Sequence, residues 1–268
     1  MARYAIETYQ VSERRACRLV NLSRNGYRYV KKKANNNEIK AKLTQLAKDH
    51  HRWGFRKMAA YLRKQGNVWN HKKVYRIYCE MELNIRVKPK KRLPAREPRP
   101  LIQPETVNAC WSLDFMSDSL ENGCPFRTFN VLDDFNREGL WIEIDTSLPA
   151  TRVTRVLDIV ASERGYPSQV RVDNGPEFIS HQMAGWARRH AVRIHYIQPG
   201  KPAQNGFVER FNRTYREDVL DAYLFHSLDE VRRITFDWLE EYNSIRPHAS
   251  LGNKTPYEFA ANIESVYL

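Results

Sequence analysis

The chain lacks the features of several protein classes. No apolar run approaches the roughly 18–20 residues that a membrane span needs, and the first residues, MARYAIETYQVSERR, have no apolar core of a secretory signal. The four cysteines are scattered and form no C-x-x-C pair, which argues against a disulfide framework or a zinc module. We therefore expect no zinc and no membrane contact, and a protein of a reducing cytosol.

Charge is strongly divided between the two parts of the sequence. The chain has 268 residues, enough for two domains. Residues 1–110 contain 27 Lys and Arg against 8 Asp and Glu, a net charge of +19, whereas residues 111–268 carry a net charge of −6. A basic part neutralises phosphates, and an acidic part concentrates carboxylates for metal ions. The alternative is that the basic part serves only solubility.

The N-terminal part is predicted to be helical. Residues 11–33 read as two short helices capped by Ser12 and Ser23, which suits a helix-turn-helix or a simple helical hairpin. Apolar spacing predicts further helices within 38–64 and over 70–82, with Trp53, Tyr75 and Tyr78 as core residues. The candidate DNA contacts of this part are basic residues of two predicted helices: Arg24, Arg28, Lys72 and Lys73.

A change of composition marks the domain boundary. We predict a helical DNA-binding region over 1–85, a linker over 86–107 and a second domain over 108–268. The linker is rich in proline and basic residues, which excludes regular structure and favours an extended strap. The strap either follows a DNA backbone or is a solvated connection without contacts.

The second domain has the pattern of an α/β fold. Strands are predicted at 109–116, 126–133, 139–145, 169–173 and 192–196, and helices at 150–164, 180–190, 205–222 and 227–243. Three strands in succession followed by alternating helices and strands describe a mixed five-stranded sheet with flanking helices.

Three carboxylates carry the strongest chemical signal. Asp114 lies in the strand WSLDF, Asp173 ends the strand before a turn in RVDNGPEF, and Glu209 lies near the start of a helix. Hard divalent cations prefer oxygen ligands, and two Mg²⁺ ions held by carboxylates can promote in-line displacement at phosphorus. A helix from about Asn205 would also place Asn212 or Arg213, and Arg216, on one face with Glu209, and a polar loop containing Lys201 precedes it.

Other acidic residues compete for these roles. Asp118 lies near the strand end and reads better as a turn residue, and Asp133 and Asp134 read as turn-formers before the next strand. Glu177 is suited to a nearby hydrogen bond. We interpret the C-terminal segment around His248 as structural, packing the tail onto the core.

Five motifs resemble one known family. They are W-x-x-D at 111–114, FNVLDDFNRE at 129–138, DNGPEF at 173–178, PGKPAQNGFVERFNRTYRE at 199–217 and YNSIRPHASLGNKTPYEF at 242–259. In this order they resemble the catalytic core of the retroviral-integrase superfamily, and more closely the transposases of bacterial insertion sequences of the IS-three family. The segment HRWGFRKMAAYL resembles, more loosely, the family's helix-turn-helix-like region.

The resemblance implies a ribonuclease H-like fold and a DNA transposase. Asp114, Asp173 and Glu209 would be catalytic and would hold two Mg²⁺ or Mn²⁺ ions, and Arg216 matches the family's substrate-contacting basic residue. The implied partners are double-stranded DNA, further copies of the chain on DNA, and an upstream-frame protein of the same element. The rival functions are a plain ribonuclease H-like nuclease or resolvase, and a DNA-binding repressor with an inactive core.

Overall fold

The structure is a computed structural model that describes residues 1–29, 36–85, 101–198 and 202–264. The chain forms two compact units, Met1–Ala41 and Lys42–Leu268. The predicted division at 85 and 107 stays a prediction, and most of the predicted linker lies outside the described residues. Within the described part, no helix is both long and apolar enough to cross a membrane.

The first unit contains three short helices, listed in chain order: α1 (Ala2–Tyr9), α2 (Glu13–Leu19) and α3 (Arg24–Arg28). The two predicted helices are confirmed with their caps, because the hydroxyl of Ser12 accepts from Arg15 N–H and that of Ser23 from Gly26 N–H. Helix α1 was not predicted from the sequence.

Three helices precede the sheet domain: α4 (Asn37–Asp49), α5 (Phe55–Lys64) and α6 (His71–Glu80). The side-chain oxygen of Asn70 caps α6, as predicted. Trp53 and Tyr78 are buried, which confirms them as core residues. Tyr75 is half exposed and packs its ring edge against Phe55, so its assignment to the core was wrong.

A five-stranded mixed sheet forms the centre of the second unit. Its strands are β1 (Trp111–Ser119), β2 (Pro125–Asp133), β3 (Gly139–Asp145), β4 (Gln169–Val172) and β5 (Arg193–Tyr196). The spatial order is β3-β2-β1-β4-β5, with antiparallel pairing among the first three and parallel pairing of β4 with β1 and β5. All five predicted strands are confirmed within three residues at each end.

Four of the five described helices of this domain match predicted ones, with one correction, and the last was not predicted. They are α7 (Ala150–Arg164), α8 (His181–Arg189), α9 (Gly206–Tyr215), α10 (Leu228–Ser244) and α11 (Pro256–Glu264). The helix predicted over 205–222 is not regular throughout, because a π-helical turn, Arg216–Leu220, follows α9. Such wider turns often occur at functional sites.

Two apolar cores cover the two faces of the sheet. On one face α7 and α8 pack over Trp111, Leu113 and Phe129, and on the other α9 and α10 pack over Leu132 and Ile144. This arrangement is the predicted ribonuclease H-like α/β fold, preceded by helical structure. It places the middle of β1 between the end of β4 and helix α9.

Within the second unit, the helical segment before the sheet and the C-terminal helix α11 both contact the rest of the domain. His50 Nδ1 lies 2.9 Å from Glu241 on α10, and Lys64 pairs with Glu258 on α11. The ring of Phe259 packs against Phe135, so the C-terminal segment does return to the core as predicted.

Candidate active site

Asp114 occupies the centre of the sheet. It lies opposite Asn130 on β2, in the middle of β1, and its side chain is largely buried. Asp114 Oδ1 accepts from Phe115 N–H at 2.9 Å, and Oδ2 accepts from Asn212 Nδ2 at 2.7 Å. Each carboxylate oxygen can accept a second bond, so both retain capacity for another partner.

Asn212 on α9 connects two strands to the helix that carries Glu209. Its Nδ2 donates to Asp114, and its Oδ1 accepts from Asn130 Nδ2 at 2.7 Å. Asn130 Oδ1 is buried and has no hydrogen-bond partner among the described residues. The sequence reading placed Asn212 near Glu209 but did not assign it this bridging contact.

Asp173 follows β4 at the carboxyl end of the strand. Its Oδ1 accepts from Gly175 N–H at 3.0 Å, and a Cβ at Gly175 would come within 3.0 Å of that oxygen. The next turn is held by Glu177, whose Oε1 accepts from Arg127 on β2 at 2.5 Å. The Arg127 guanidinium also lies over the Phe115 ring. Because Arg127 belongs to β2, its bond to Glu177 holds the loop that follows Asp173 against the sheet. The predicted hydrogen bond of Glu177 is thus confirmed.

The charges of the three carboxylates interact. Glu209 is exposed in the first turn of α9. Burial raises the pKa of Asp114 to about 6, and the negative charges of Asp173 and Glu209 add to the increase, whereas the Phe115 N–H and Asn212 oppose it. The structure thus brings all three predicted residues into one electrostatic environment.

The donor chemistry fits a divalent cation. All three candidate residues offer hard oxygen donors, and a cation would relieve the repulsion that Asp173 and Glu209 exert on Asp114. Among the described residues, however, no group of three or more His, Cys, Asp or Glu side chains is close enough to form a ready-made metal-binding set. The fit therefore rests on residue type and charge.

Asp133 and Asp134 have structural roles of a kind that the sequence did not show. The turn predicted for them is confirmed, since Asp134 begins the turn after β2 and Asp133 caps it, but both residues are fully buried. Asp134 accepts from Arg171 Nη1 and Ser112 Oγ, both at 2.6 Å, and Asp133 accepts from the N–H groups of Asn108 and Phe135. Asp134 already has a cationic partner in Arg171 and Asp133 is fully buried, which supports the choice of the partly exposed Asp114 as the candidate ligand on this part of the sheet.

Arg216 lies in the π-helical turn and is tied to β1. Its Nη1 donates to Asp118 Oδ2 at 3.2 Å and its Nη2 to the Ser117 carbonyl at 2.8 Å. Asp118 therefore belongs to the strand and to this ion pair, not to a turn as predicted. Arg213 is exposed on α9.

The other candidate DNA contacts lie on helices. Lys72 is exposed and Lys73 half-buried in the first turn of α6. In the first unit Arg24 is exposed, and Arg28 Nε donates to Glu13 at 2.9 Å. Lys201 lies outside the described residues.

His248 has a structural hydrogen bond, in agreement with its interpretation. Burial lowers its pKa to about 3, so the ring is neutral near pH 7. Its Nε2 lies 3.3 Å from the Tyr242 carbonyl, which can only accept, so this nitrogen carries the proton.

Three family models match the chain. An HTH-like domain matches residues 34–92, and two models described as integrase core domain match residues 104–202 and 190–256. The two integrase models together span the sheet, the three carboxylates and the segment that follows α9.

Curated relatives agree with these matches. The chain is 40% identical to an uncharacterized 39.2 kDa protein of insertion element IS476 from Xanthomonas euvesicatoria, over 97% of this chain and 75% of the relative. It is also 40% identical to an uncharacterized 31.7 kDa protein of insertion element IS407 from Burkholderia multivorans, over 95% of this chain and 92% of the relative. The transposase InsD of insertion element IS2 from Escherichia coli is 24% identical, over 77% and 73% of the two chains. With its integrase core and these relatives, the chain belongs to the bacterial insertion-sequence transposases of the retroviral-integrase superfamily.

Proposed function

We propose that Asp114, Asp173 and Glu209 form the two-metal site at which this transposase nicks the ends of its insertion sequence and joins them to another DNA. The protein is a DDE-type polynucleotidyl transferase. What we propose is that Asp114, Asp173 and Glu209 are its three acidic catalytic residues. The observation that carries it is the charge environment of Asp114. A buried strand carboxylate, repelled by two acidic neighbours, is costly unless a cation compensates it.

The protein's own residues fix the geometry of the acidic group. Asn212 and the Phe115 N–H each hold one oxygen of Asp114, and the Gly175 N–H holds Asp173. Mg²⁺ or Mn²⁺, when bound, would activate an attacking oxygen and stabilise the leaving oxygen at phosphorus. In the proposed function these donors keep the carboxylates oriented before DNA arrives.

The basic residues supply the DNA contacts in this proposal. Arg213 and Arg216 would contact phosphates near the carboxylates, and residues 1–85 would form the DNA-binding region, with 86–107 as the linker to the catalytic domain over 108–268. The helix-turn-helix-like match supports this role for the N-terminal part. Because strand transfer requires two ends at once, we propose that the protein acts as a dimer or larger assembly on paired element ends.

Charge-neutral substitutions test the site. Asp114→Asn, Asp173→Asn and Glu209→Gln should each abolish Mg²⁺-dependent nicking of labelled element ends, while DNA binding in a gel assay is retained or strengthened. Glu163→Gln, at an exposed acidic position of α7, is the matched control and should nick normally. Undiminished nicking by one of the three variants would remove that residue from the proposed site.

The product distinguishes transposase from nuclease. Both activities require carboxylates and metal, so loss of nicking alone does not separate them. With unlabelled target DNA present, branched or circular joined products support the transposase. Nicked or degraded strands alone, formed by a monomer, support the ribonuclease H-like nuclease.

A further inference from the structure

A basic pocket lies beside helix α9, on the side opposite Glu209. It has a volume of about 360 Å³. Four cationic side chains from four separate segments line it: Lys57 of α5, Arg137 of the turn between β2 and β3, Arg210 of α9, and Arg246 after α10. Convergence of four cations on one cavity requires an explanation, because their repulsion disfavours the folded state.

Among the described residues, one of the four cations has a direct ion-pair partner, while Asp134 partly offsets the charge of Arg137 and Asp218 that of Lys57. Arg246 pairs with Asp218, but among the described residues none forms an ion pair with Lys57, Arg137 or Arg210. No acidic residue lines the pocket. Arg137 Nη1 is buried and has no hydrogen-bond partner in the described part of the chain. A buried donor without an acceptor is costly, so the pocket is suited to an anion that accepts hydrogen bonds.

The pKa of Lys57 is sensitive to this environment. Burial, together with the positive charges of Arg246 and Arg210, lowers it to about 8, whereas the negative charges of Asp218 and Glu217 oppose the decrease. His248 also lines the pocket but is neutral, and its Nε2 proton is used on the Tyr242 carbonyl. The pocket's charge therefore comes from Lys and Arg side chains.

The walls fit an anion with an organic substituent. The Arg137 guanidinium lies 3.4 Å above the Phe207 ring, which fixes its plane. The hydroxyl of Ser250 is also at the lining and can donate to an oxygen anion, whereas the Thr214 hydroxyl donates to the Arg210 carbonyl at 3.0 Å. The volume is larger than a phosphate group needs and leaves room for an attached sugar.

We propose that this pocket binds a backbone phosphate of DNA, separate from the phosphate that reacts at the carboxylates. This inference rests on the proposed function, because that function brings DNA to α9. Helix α9 presents Phe207, Arg210 and Thr214 to the pocket, while Glu209 and Asn212 lie on the other side, as helical spacing requires. A phosphate in the pocket would contact the helix face that carries Arg210, while the opposite face, which carries Glu209, takes part in the reaction.

Binding by the full-length protein tests the pocket. Fluorescence anisotropy with a labelled duplex is measured in EDTA, so that metal at the carboxylates does not contribute. Lys57→Gln and Arg210→Gln should each weaken binding by about tenfold, a typical effect of losing a charged hydrogen bond. Each should also reduce the slope of log affinity against log salt by about 0.9, the loss of one phosphate contact.

Two exposed arginines provide matched controls. Arg56 is the neighbour of Lys57 on α5 but does not line the pocket, and Arg155 lies on α7. Arg56→Gln and Arg155→Gln should leave affinity and salt slope unchanged. Equal losses in all four variants would mean diffuse attraction, and no loss in the pocket variants would mean that no phosphate binds there; either result overturns the proposal. Thermal unfolding shows that the variants are folded, and Lys57→Arg should restore binding.

Inorganic phosphate identifies the source of the anion. Thermal unfolding is measured with and without inorganic phosphate at matched ionic strength. If phosphate stabilises the wild type but not Lys57→Gln, and the variant nevertheless binds DNA normally, then the pocket binds free phosphate. In that case the assignment to DNA is wrong. Asp114→Asn should bind DNA at least as tightly as the wild type in these assays, because it removes a negative charge. The experiments can therefore overturn the phosphate-binding proposal without overturning the proposed metal site, and the reverse.

Discussion

Asn212 donates a hydrogen bond of 2.7 Å to Asp114, a residue 98 positions away in the sequence. The same amide accepts from Asn130 on the neighbouring strand. Through these two bonds the helix that carries Glu209 is fixed to the strands at the point where the candidate catalytic aspartate lies.

Loss of this amide should affect both catalysis and its pH dependence. In Asn212→Leu the hydrogen bond that opposes the raised pKa of Asp114 is missing, so the pKa rises further. We expect nicking to fall by about tenfold, the magnitude of losing a hydrogen bond to a charged group, and the acid limb of its pH profile to move to higher pH.

Asn243→Leu is the matched control for that variant. Asn243 is also a buried amide with two hydrogen bonds, to the backbone N–H and carbonyl of Gly139, but it does not touch Asp114. It should lose similar stability without moving the pH profile. The same shift of the pH profile in both variants would show that Asn212 is structural and does not act through the pKa of Asp114.

The stability of the apoprotein should depend on the ionisation of Asp114. Its folded pKa of about 6 exceeds the ordinary 3.8, so its stabilising contribution is fully present below pH 3.8 and is lost as pH rises through 6. Relative to Asp114→Asn, the wild type should lose about 3 kcal/mol between these limits, from 1.36 kcal/mol per pKa unit. Urea unfolding in EDTA measures the difference; no pH dependence of that difference would show that Asp114 ionises as a free carboxyl does.

Arg216 should serve end joining more than metal binding. Its guanidinium is oriented by Asp118 and the Ser117 carbonyl beside the acidic group. We expect Arg216→Ala to impair joining of labelled ends while the Mg²⁺ concentration for half-maximal nicking is unchanged. Asp118→Asn removes the competing anion but leaves the Ser117 contact, so it should bind DNA at least as well as the wild type. A large rise in the Mg²⁺ requirement of Arg216→Ala would contradict this role.

Asp134 should be a stability residue. It is fully buried with Arg171, and removing one partner of a buried pair leaves an uncompensated charge that costs roughly 3–5 kcal/mol. Asp134→Asn should therefore unfold at much lower urea concentration, with the Mg²⁺ dependence of the remaining folded enzyme unaltered. If the variant were stable yet inactive, Asp134 would be a rival for the metal site.

Local patterns were enough to predict the sheet and its helices. Alternating apolar residues and Gly or Pro turns fixed the strands near their observed bounds, and serine caps marked α2 and α3. Helix α1 has no such cap, since Met1 precedes it without a side-chain hydrogen bond. The π-helical turn depends on how Arg216–Leu220 packs, which spacing along the sequence does not encode.

The candidate site was predicted as a set of residues but not as a network. Asp114, Asp173 and Glu209 stand in recognisable motifs, whereas the contacts of Asn212 and Arg127 join segments far apart in the chain. Asp133 and Asp134 were predicted as turn residues, but not their burial, because their partners Asn108 and Arg171 come from other elements. The basic pocket has no sequence signature, because its four cations come from four separate segments.

A change of metal preference tests the central claim most directly. Asp114→Cys and Asp173→Cys replace a hard oxygen ligand by a softer thiolate, which favours Mn²⁺ over Mg²⁺. In an assay of end joining to target DNA, we predict that both variants are inactive in Mg²⁺ and recover joined products in Mn²⁺, while the wild type joins ends in either metal. Joining by the wild type in EDTA, or variants that behave identically in the two metals, would contradict a two-metal site at Asp114, Asp173 and Glu209.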